Sequence, residues 1–191
     1  MSAASRLRTW AGGLRRDGKR HLGTLALFAG VLLAVQLWQT RSVAGGALPA
    51  TALDAALPVI GPDGARRDST LRQEIARVQQ AHPGRNIGLY VWADWCPICR
   101  TLQGTVNGLT QDHPVITVAM QSGPPEKVAG YLAGRGLAWH TLVDPRSAIP
   151  GALGFGAVPA FAVITPQGEL RWPTVGLTSG WGLRLRLLFA G

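Results

Sequence analysis

Residues 22–40 form a run of 19 residues without a charged side chain, LGTLALFAGVLLAVQLWQT. As an α-helix this run would be about 28 Å long, which matches the hydrocarbon core of a bilayer. The sequence therefore predicts one transmembrane anchor that contacts membrane lipid through residues 22–40. Two alternatives stay open: Ser42-Val43-Ala44 is a possible cleavage site of a signal peptide, and the run is also compatible with a buried core helix.

Most of the excess basic charge precedes this run. Residues 1–21 hold six Lys and Arg against one Asp, a net +5, whereas residues 42–191 hold 12 Lys and Arg against 9 Asp and Glu, a net +3. The positive-inside rule then predicts a cytoplasmic N-terminus and a folded part across the membrane. We expect a single-pass protein of a bacterial inner membrane, with its folded part on the periplasmic side. A nucleic-acid partner is not expected, because the folded part carries no basic cluster.

Composition divides the chain into four segments. Residues 1–21 are predicted to be a basic cytoplasmic tail and residues 22–40 the anchor. Residues 41–56 are rich in Ala, Gly and Pro, which is typical of a linker. Residues 57–191 remain as one domain, which is long enough to bury a core without disulfide bonds.

The folded part alternates between strand-like and helix-like patterns. Expected strands cover 57–60, 87–92, 115–120, 141–143, 161–165 and 170–175. Two expected helices begin at Thr70, with a capping box, and at Cys96. Three further helices are expected over 125–133, 147–153 and 180–189, and the last of them is amphipathic. This order predicts an α/β sandwich around a mixed sheet. The motifs G-x-G-x-x-G, G-x-S-x-G and H-E-x-x-H do not occur in the corresponding contexts.

The only two cysteines are Cys96 and Cys99, which lie where a buried strand runs into a helix. The helix N-terminus stabilises a thiolate at Cys96 and lowers its pKa. Cys99 follows one turn later on the same face, within reach to close a disulfide. We therefore predict that Cys96 forms a mixed disulfide with a partner and that Cys99 resolves it.

Two other uses of the cysteine pair stay open. A C-x-x-C pair is often half of a zinc site, but a structural site needs four ligands, and His82, His113 and His140 are dispersed in the sequence. A purely structural disulfide would close too small a loop to stabilise the chain much.

The segment W-A-D-W-C-P-I-C at residues 92–99 resembles the active site of thioredoxin-like proteins. Val158-Pro159, followed by the apolar run 160–164, is similar in kind and spacing to the cis-proline that this family places opposite its dithiol. The resemblance implies a thioredoxin-like α/β/α sandwich with a mixed central sheet, preceded here by one N-terminal transmembrane helix.

The same resemblance implies protein thiols and disulfides as substrates. The backbone of Val158 would pair with an extended substrate segment beside Cys96. We expect no metal and no cofactor other than a redox-active disulfide between Cys96 and Cys99. The expected site residues are Cys96 and Cys99 as the catalytic pair, with Trp95, Pro97, Val158 and Pro159 binding substrate.

Within this family the anchor and the extra N-terminal strand resemble the TlpA-like extracytoplasmic group. Residues 113–123 and 171–176 are most similar to the suppressor-of-copper-sensitivity D-type disulfide oxidoreductases. That subgroup implies a reductant fed by a membrane thiol electron donor, with a role in copper tolerance. Reduction of apocytochrome c, a non-catalytic copper(I)-binding module and a membrane-anchored scaffold are the alternatives.

The sequence departs from the family at three places. Tyr90 stands where thioredoxin itself has a buried Asp, six residues before the first cysteine. The residues between the cysteines are Pro97-Ile98 instead of Gly-Pro. Residues 154–159 lack the acidic residue of the cytochrome c maturation reductases.

Overall fold

The computed structural model describes residues 3–43 and 45–190, with the side chains described from residue 21 onwards. It divides into two compact units, Met1–Trp38 and Gln39–Gly191. Four residues lie outside the described part of the chain: Met1 and Ser2 of the predicted tail, Ala44 of the predicted cleavage site and the last residue of the predicted domain. The side chains of the tail up to residue 20 also lie outside it.

The N-terminal unit is built from one long helix, α1 (Ala3–Thr40). Its apolar part, His21–Thr40, has 20 residues, none of which is buried. By length and composition this part could cross a membrane, so the prediction of one N-terminal apolar helix of spanning length is confirmed. The helix also includes the described part of the predicted tail.

The second unit is an α/β sandwich, which confirms the predicted fold class. Its strands are β1 (Gly46–Ala47), β2 (Leu57–Ile60), β3 (Arg66–Ser69), β4 (Ile87–Trp92), β5 (Val115–Met120), β6 (Thr141–Asp144), β7 (Ala160–Ile164) and β8 (Glu169–Val175). Its helices are α2 (Ala50–Leu53), α3 (Leu71–Ala81), α4 (Pro97–Asp112), α5 (Pro125–Ala133), α6 (Ala148–Leu153) and α7 (Gly180–Phe189).

The strands form one mixed sheet in the order β1-β8-β7-β4-β5-β6-β2-β3. Strand β4 lies inside the sheet, parallel to β5 and antiparallel to β7, and all six of its residues are buried. Its side chains alternate between two apolar clusters. Helices α4, α5 and α7 contribute to the cluster that contains Tyr90 and Trp92, and α2, α3 and α6 to the cluster that contains Leu89 and Val91.

Strand β8 is irregular in its middle. Trp172 has a φ of +52°, a left-handed conformation that is rare for a bulky side chain, and Pro173 follows it. The register between β7 and β8 shifts between Phe161 and Val163. These features separate the regular pairing at the two ends of β8.

The folded unit begins before the predicted boundary at residue 57. Within the stretch expected to be a linker, β1 pairs with β8 and Ala52 of α2 is completely buried. Asp54 Oδ1 accepts a hydrogen bond from Arg72 Nε at 2.7 Å. The expectation of a linker over 41–56 is therefore corrected: small residues here allow close packing.

Helix α3 begins with the capping box that the sequence predicts. The Thr70 hydroxyl accepts from the Gln73 backbone N–H at 3.2 Å, and Gln73 Oε1 accepts from the Thr70 N–H at 3.2 Å. Each bond satisfies a backbone donor that the helix leaves unpaired.

Replacing Thr70 with alanine should lower the free energy of unfolding by about 1 kcal/mol, because one of these donors loses its acceptor. Denaturant unfolding of the variant measures the loss. Thr70→Ser keeps the hydroxyl and is the matched control, which should stay close to the wild type. Equal losses in both variants would show that the methyl group, and not the cap, stabilises this end.

Candidate dithiol active site

Cys96 and Cys99 form a disulfide at the N-terminus of α4, with their Cα atoms 5.3 Å apart. Cys96 is the N-cap residue of the helix and Pro97 occupies its first turn, where no backbone N–H is needed. The backbone N–H of Cys99 donates to Cys96 Sγ at 3.1 Å. This donor and the helix dipole both favour negative charge on that sulfur when the disulfide is reduced.

The loop before β7 lies against the same sulfur. The peptide bond between Val158 and Pro159 is cis, and Cys96 Sγ lies 3.7 Å from the Val158 carbonyl oxygen. Pro159 is buried and Val158 is half-buried. The structure therefore brings the predicted cis-proline loop, distant in sequence, next to the first cysteine.

The surface around the disulfide is apolar. Trp95 is 52% exposed, Ile98 is 47% exposed, and Pro97 is exposed between the cysteines. The disulfide itself is covered: Cys96 is 3% and Cys99 1% exposed. The disulfide therefore lies beneath exposed apolar side chains, and both of its cysteines are buried.

A second loop holds the residues before Cys96 in place. The Trp95 indole N–H donates to the Gln121 carbonyl oxygen at 3.1 Å, and the Asp94 backbone N–H donates to Ser122 Oγ at 3.1 Å. Lys127 Nζ lies 2.6 Å from Asp94 Oδ2. The ammonium group offsets the carboxylate charge that would otherwise oppose a thiolate at Cys96, and sequence reasoning missed Lys127 because it lies on α5.

Tyr90 lies in the same apolar cluster as the two cysteines. It is 1% exposed, and its hydroxyl has no hydrogen-bond partner among the described residues. Burial raises the pKa of Tyr90, to which Tyr131 adds. The phenol therefore stays neutral in the physiological range and does not replace the carboxylate that thioredoxin has at this position.

A buried carboxylate lies under the opposite face of the sheet. Glu74 of α3 is completely buried; Arg67 Nη2 and Arg77 Nη1 donate to its oxygens at 2.7 and 2.6 Å, and His140 Nε2 lies 2.6 Å away. Burial raises the pKa of the Glu74 carboxyl, but hydrogen bonds from Ser69, Arg77 and Arg67 and the charge of His140 outweigh it and hold that pKa at about 2. Glu74 is therefore ionised in the folded protein at neutral pH.

The three histidines that the sequence leaves dispersed line one surface cavity of about 240 Å³, together with Arg85. His140 is engaged with Glu74, and His113 Nδ1 lies 3.5 Å from Arg85 Nη2. Among the residues whose side chains the structure describes, no group of three His, Cys, Asp or Glu is arranged to hold a metal ion.

Comparison with known proteins gives relatives of one kind. A "Thioredoxin-like protein" of Haemophilus influenzae is 33% identical over 103 residues, which cover 53% of this chain and 61% of that protein. A "Thiol:disulfide interchange protein DsbE homolog" of Paracoccus denitrificans is 28% identical over 147 residues, which cover 76% of this chain and 78% of that protein. The chain thus spans less than two thirds of the Haemophilus protein. No protein-family model matches this chain.

Solved structures show the same fold. The crystal structure of a putative thiol:disulfide interchange protein DsbE from Chlorobium tepidum superimposes with a TM-score of 0.59 at 18% identity, over 78% of this chain and 99% of that one. The thioredoxin-like fold is therefore confirmed. These relatives carry the names of thioredoxin-like and thiol:disulfide interchange proteins, which agrees with the resemblance drawn from residues 92–99.

Proposed function

We propose that this thioredoxin-like chain is a membrane-anchored thiol–disulfide oxidoreductase that acts through Cys96 and Cys99. One observation carries the proposal. The disulfide caps a helix N-terminus, its first sulfur accepts the Cys99 N–H, and the cis-proline loop lies 3.7 Å from that sulfur. A disulfide with only a structural role would need none of these three contacts.

In the reductive direction the reaction begins with both cysteines reduced. The Cys96 thiolate attacks one sulfur of a substrate disulfide; a Cys96–substrate disulfide forms, and the other substrate sulfur leaves as a thiolate that takes up a proton. The Cys99 sulfur, after losing its proton, then attacks Cys96 Sγ; the Cys96–substrate bond breaks, and the second substrate sulfur leaves as a thiolate that takes up a proton. The products are the Cys96–Cys99 disulfide and a fully reduced substrate, so two electrons and two protons pass to the substrate.

The substrate segment binds along the cis-proline loop. The Val158 carbonyl oxygen lies beside Cys96 Sγ and the residue is only half-buried, which supports pairing of its backbone with an extended chain. Trp95 and Pro97 supply exposed apolar surface on the other side of the disulfide. Proteins that carry thiols or disulfides in extended segments are therefore the substrate class.

We assign the reductive direction, with electrons from a membrane thiol donor and a role in copper tolerance, on the resemblance to the D-type subgroup. The apolar helix His21–Thr40 and the basic residues before it support anchoring in a bacterial inner membrane, with the dithiol on the periplasmic side. Thiol chemistry of this kind suits a compartment in which disulfides persist.

The reduction potential of the full chain in detergent tests the proposal. The protein is equilibrated against thiol–disulfide buffers, and alkylation of its two cysteines reports the reduced fraction. A potential near about −270 mV supports a reductase, whereas one near about −120 mV shows an oxidant and reverses the assigned direction. A pair without a reversible two-electron couple would contradict the exchange activity and favour the copper(I)-binding alternative.

A further inference from the structure

Helix α7 is apolar on two sides. Leu183 and Leu187 face the core and are buried. The other side carries large apolar side chains spaced for one helical face, with Trp172 of β8 beside it. We call this surface the outer face; its members and exposed fractions are Trp172 56%, Trp181 78%, Leu185 49%, Leu188 64% and Phe189 69%.

This pattern departs from the amphipathic helix that the sequence predicts over residues 180–189. Arg184 forms an ion pair with Asp112 at 2.8 Å, and Arg186 Nη1 donates to the Gly182 carbonyl oxygen at 3.1 Å. The two arginines border the outer face from opposite sides. A helix that is apolar nearly all round is ordinarily covered on all sides, so the outer face lacks a cover within the described chain.

The outer face begins where the N-terminal segment joins the sheet. Trp172, Leu185, Arg186 and Phe189 line one open hollow of about 290 Å³, and Trp172 also lines a second hollow with Gly45 and Gly46. Trp172 keeps its exposed position although its φ of +52° is costly for a bulky residue. The surface is thus continuous with the segment that leads to the apolar helix.

The connection from that helix to the folded unit is short. α1 ends at Thr40, the Ser42 hydroxyl donates to the Gly154 carbonyl oxygen at 3.0 Å, and Val43 packs against the core. Only Arg41 stands between the end of α1 and Ser42, which is bonded to the folded unit, and one residue spans at most about 3.6 Å. A membrane that takes up the apolar helix must lie close to the surface of this unit.

We infer that the outer face rests on the lipid–water interface of the membrane that holds α1; this inference depends on the anchoring in the proposed function. Surfaces that lie at a membrane–water interface are typically rich in Trp and other large apolar side chains and are bordered by basic residues. Arg186 also lines the hollow, and a lipid phosphate is a suitable counter-ion for its guanidinium group. A second copy of the face would instead bring like charges together.

The position of the outer face also agrees with catalysis at a membrane. Asn86 Nδ2 donates to the Leu187 carbonyl oxygen at 2.7 Å, and Asn86 precedes β4, whose other end leads to Cys96. Six strand residues separate these ends by about 20 Å. With the C-terminal half of α7 on the lipid, the dithiol faces the aqueous compartment where protein substrates are found.

Quenching of tryptophan fluorescence by brominated lipid tests this inference on the full chain. The vesicles contain phosphatidylcholine with a minority of phosphatidylglycerol, brominated near the headgroup. One reporter carries Trp10→Phe and Trp38→Phe and keeps Trp172 and Trp181. A second reporter keeps Trp38 and replaces Trp10, Trp172 and Trp181 with Phe. A background variant replaces all four of these tryptophans with Phe.

We expect the first reporter to be quenched well above the background variant. Adding Leu185→Glu and Leu188→Glu should return quenching to background, because charged side chains leave the apolar part of the interface. Leu177→Glu, at another leucine that is 70% exposed, is the matched control and should change nothing.

The remaining outcomes separate the inference from the proposed anchoring. Quenching of Trp38 without quenching of Trp172 and Trp181 would overturn the inference and leave the anchor intact. If none of the three is quenched, the anchoring itself is wrong. A blue shift of Trp172 and Trp181 that grows with protein density, without quenching, would show that a second copy covers the face and would also overturn the inference.

Discussion

Replacing Cys99 with alanine is expected to stop turnover and to leave substrate proteins covalently attached to Cys96. In this variant the Cys96 thiolate still has the helix N-terminus and the residue-99 backbone N–H, so the first attack proceeds. The second attack has no sulfur to make it. Because the two cysteines act as a unit, we expect catalysed insulin reduction to fall on the order of a thousandfold or more. Non-reducing electrophoresis detects the adducts.

Cys96→Ser is the counterpart of this variant. It should lose turnover equally but form no adducts, because Cys99 lacks the N-cap position and the backbone N–H donor that stabilise a thiolate at Cys96. A double variant, Cys96→Ser with Cys99→Ala, serves as the control for nonspecific attachment. Adducts on Cys99 in the Cys96→Ser protein would reverse the two roles, and full biological function of that protein would favour the scaffold alternative.

Glu74→Gln is expected to lower the free energy of unfolding by about 3 kcal/mol, because it leaves the cationic partners of a buried carboxylate uncompensated. Arg67 and Arg77 both donate to this carboxylate, and His140 Nε2 lies 2.6 Å from it. Glu126→Gln is the matched control, since Glu126 pairs with Arg66 at 2.8 Å on the surface with 69% of its side chain exposed. Exposed pairs contribute about 1 kcal/mol or less, so equal losses in the two variants would contradict the role of burial.

The same carboxylate predicts a dependence of stability on pH. Its pKa is lowered from 4.5 to about 2 in the folded protein. The unfolded chain therefore binds a proton at higher pH than the folded chain, so the Glu74 contribution is complete above pH 4.5 and is lost as the pH falls towards 2. Thermal unfolding is measured between neutral pH and pH 3, and the unfolding temperature of Glu74→Gln should fall less on acidification than that of the wild type. Equal decreases in the two proteins would contradict the lowered pKa of Glu74.

Where local patterns are strong, the sequence predicts the fold well. The capping box at Thr70, the apolar run 87–92 and the helix Pro125–Ala133 all depend on interactions between near neighbours, and the structure has each of them. The cysteine pair is likewise recognisable because its chemistry needs a strand that leads directly into a helix N-terminus. The placement of Val158 beside Cys96, by contrast, came from family resemblance and not from spacing.

The features that sequence reasoning missed depend on contacts between distant segments. Strand β3, with the sequence RRDS, has no apolar alternation because it pairs on one side only, and its arginine at position 67 reaches Glu74. Residues 46–56 are mostly small, so their sequence alone is typical of a linker. Their packing depends on β8 and α6, which are distant in the sequence. Lys127 and the shared cavity of the histidines are invisible for the same reason.

The irregular middle of β8 has a consequence for association between chains. A sheet edge with unpaired N–H and C=O groups is a template on which another chain can add a strand and aggregate. Here β1 covers only Leu170 and Glu169, so the rest of β8 would form such an edge. Pro173 offers no N–H, and the left-handed Trp172 breaks the extended geometry that a further strand requires. The opposite edge, β3, is protected differently, by its charged side chains, so both borders of the sheet resist fibrillar growth.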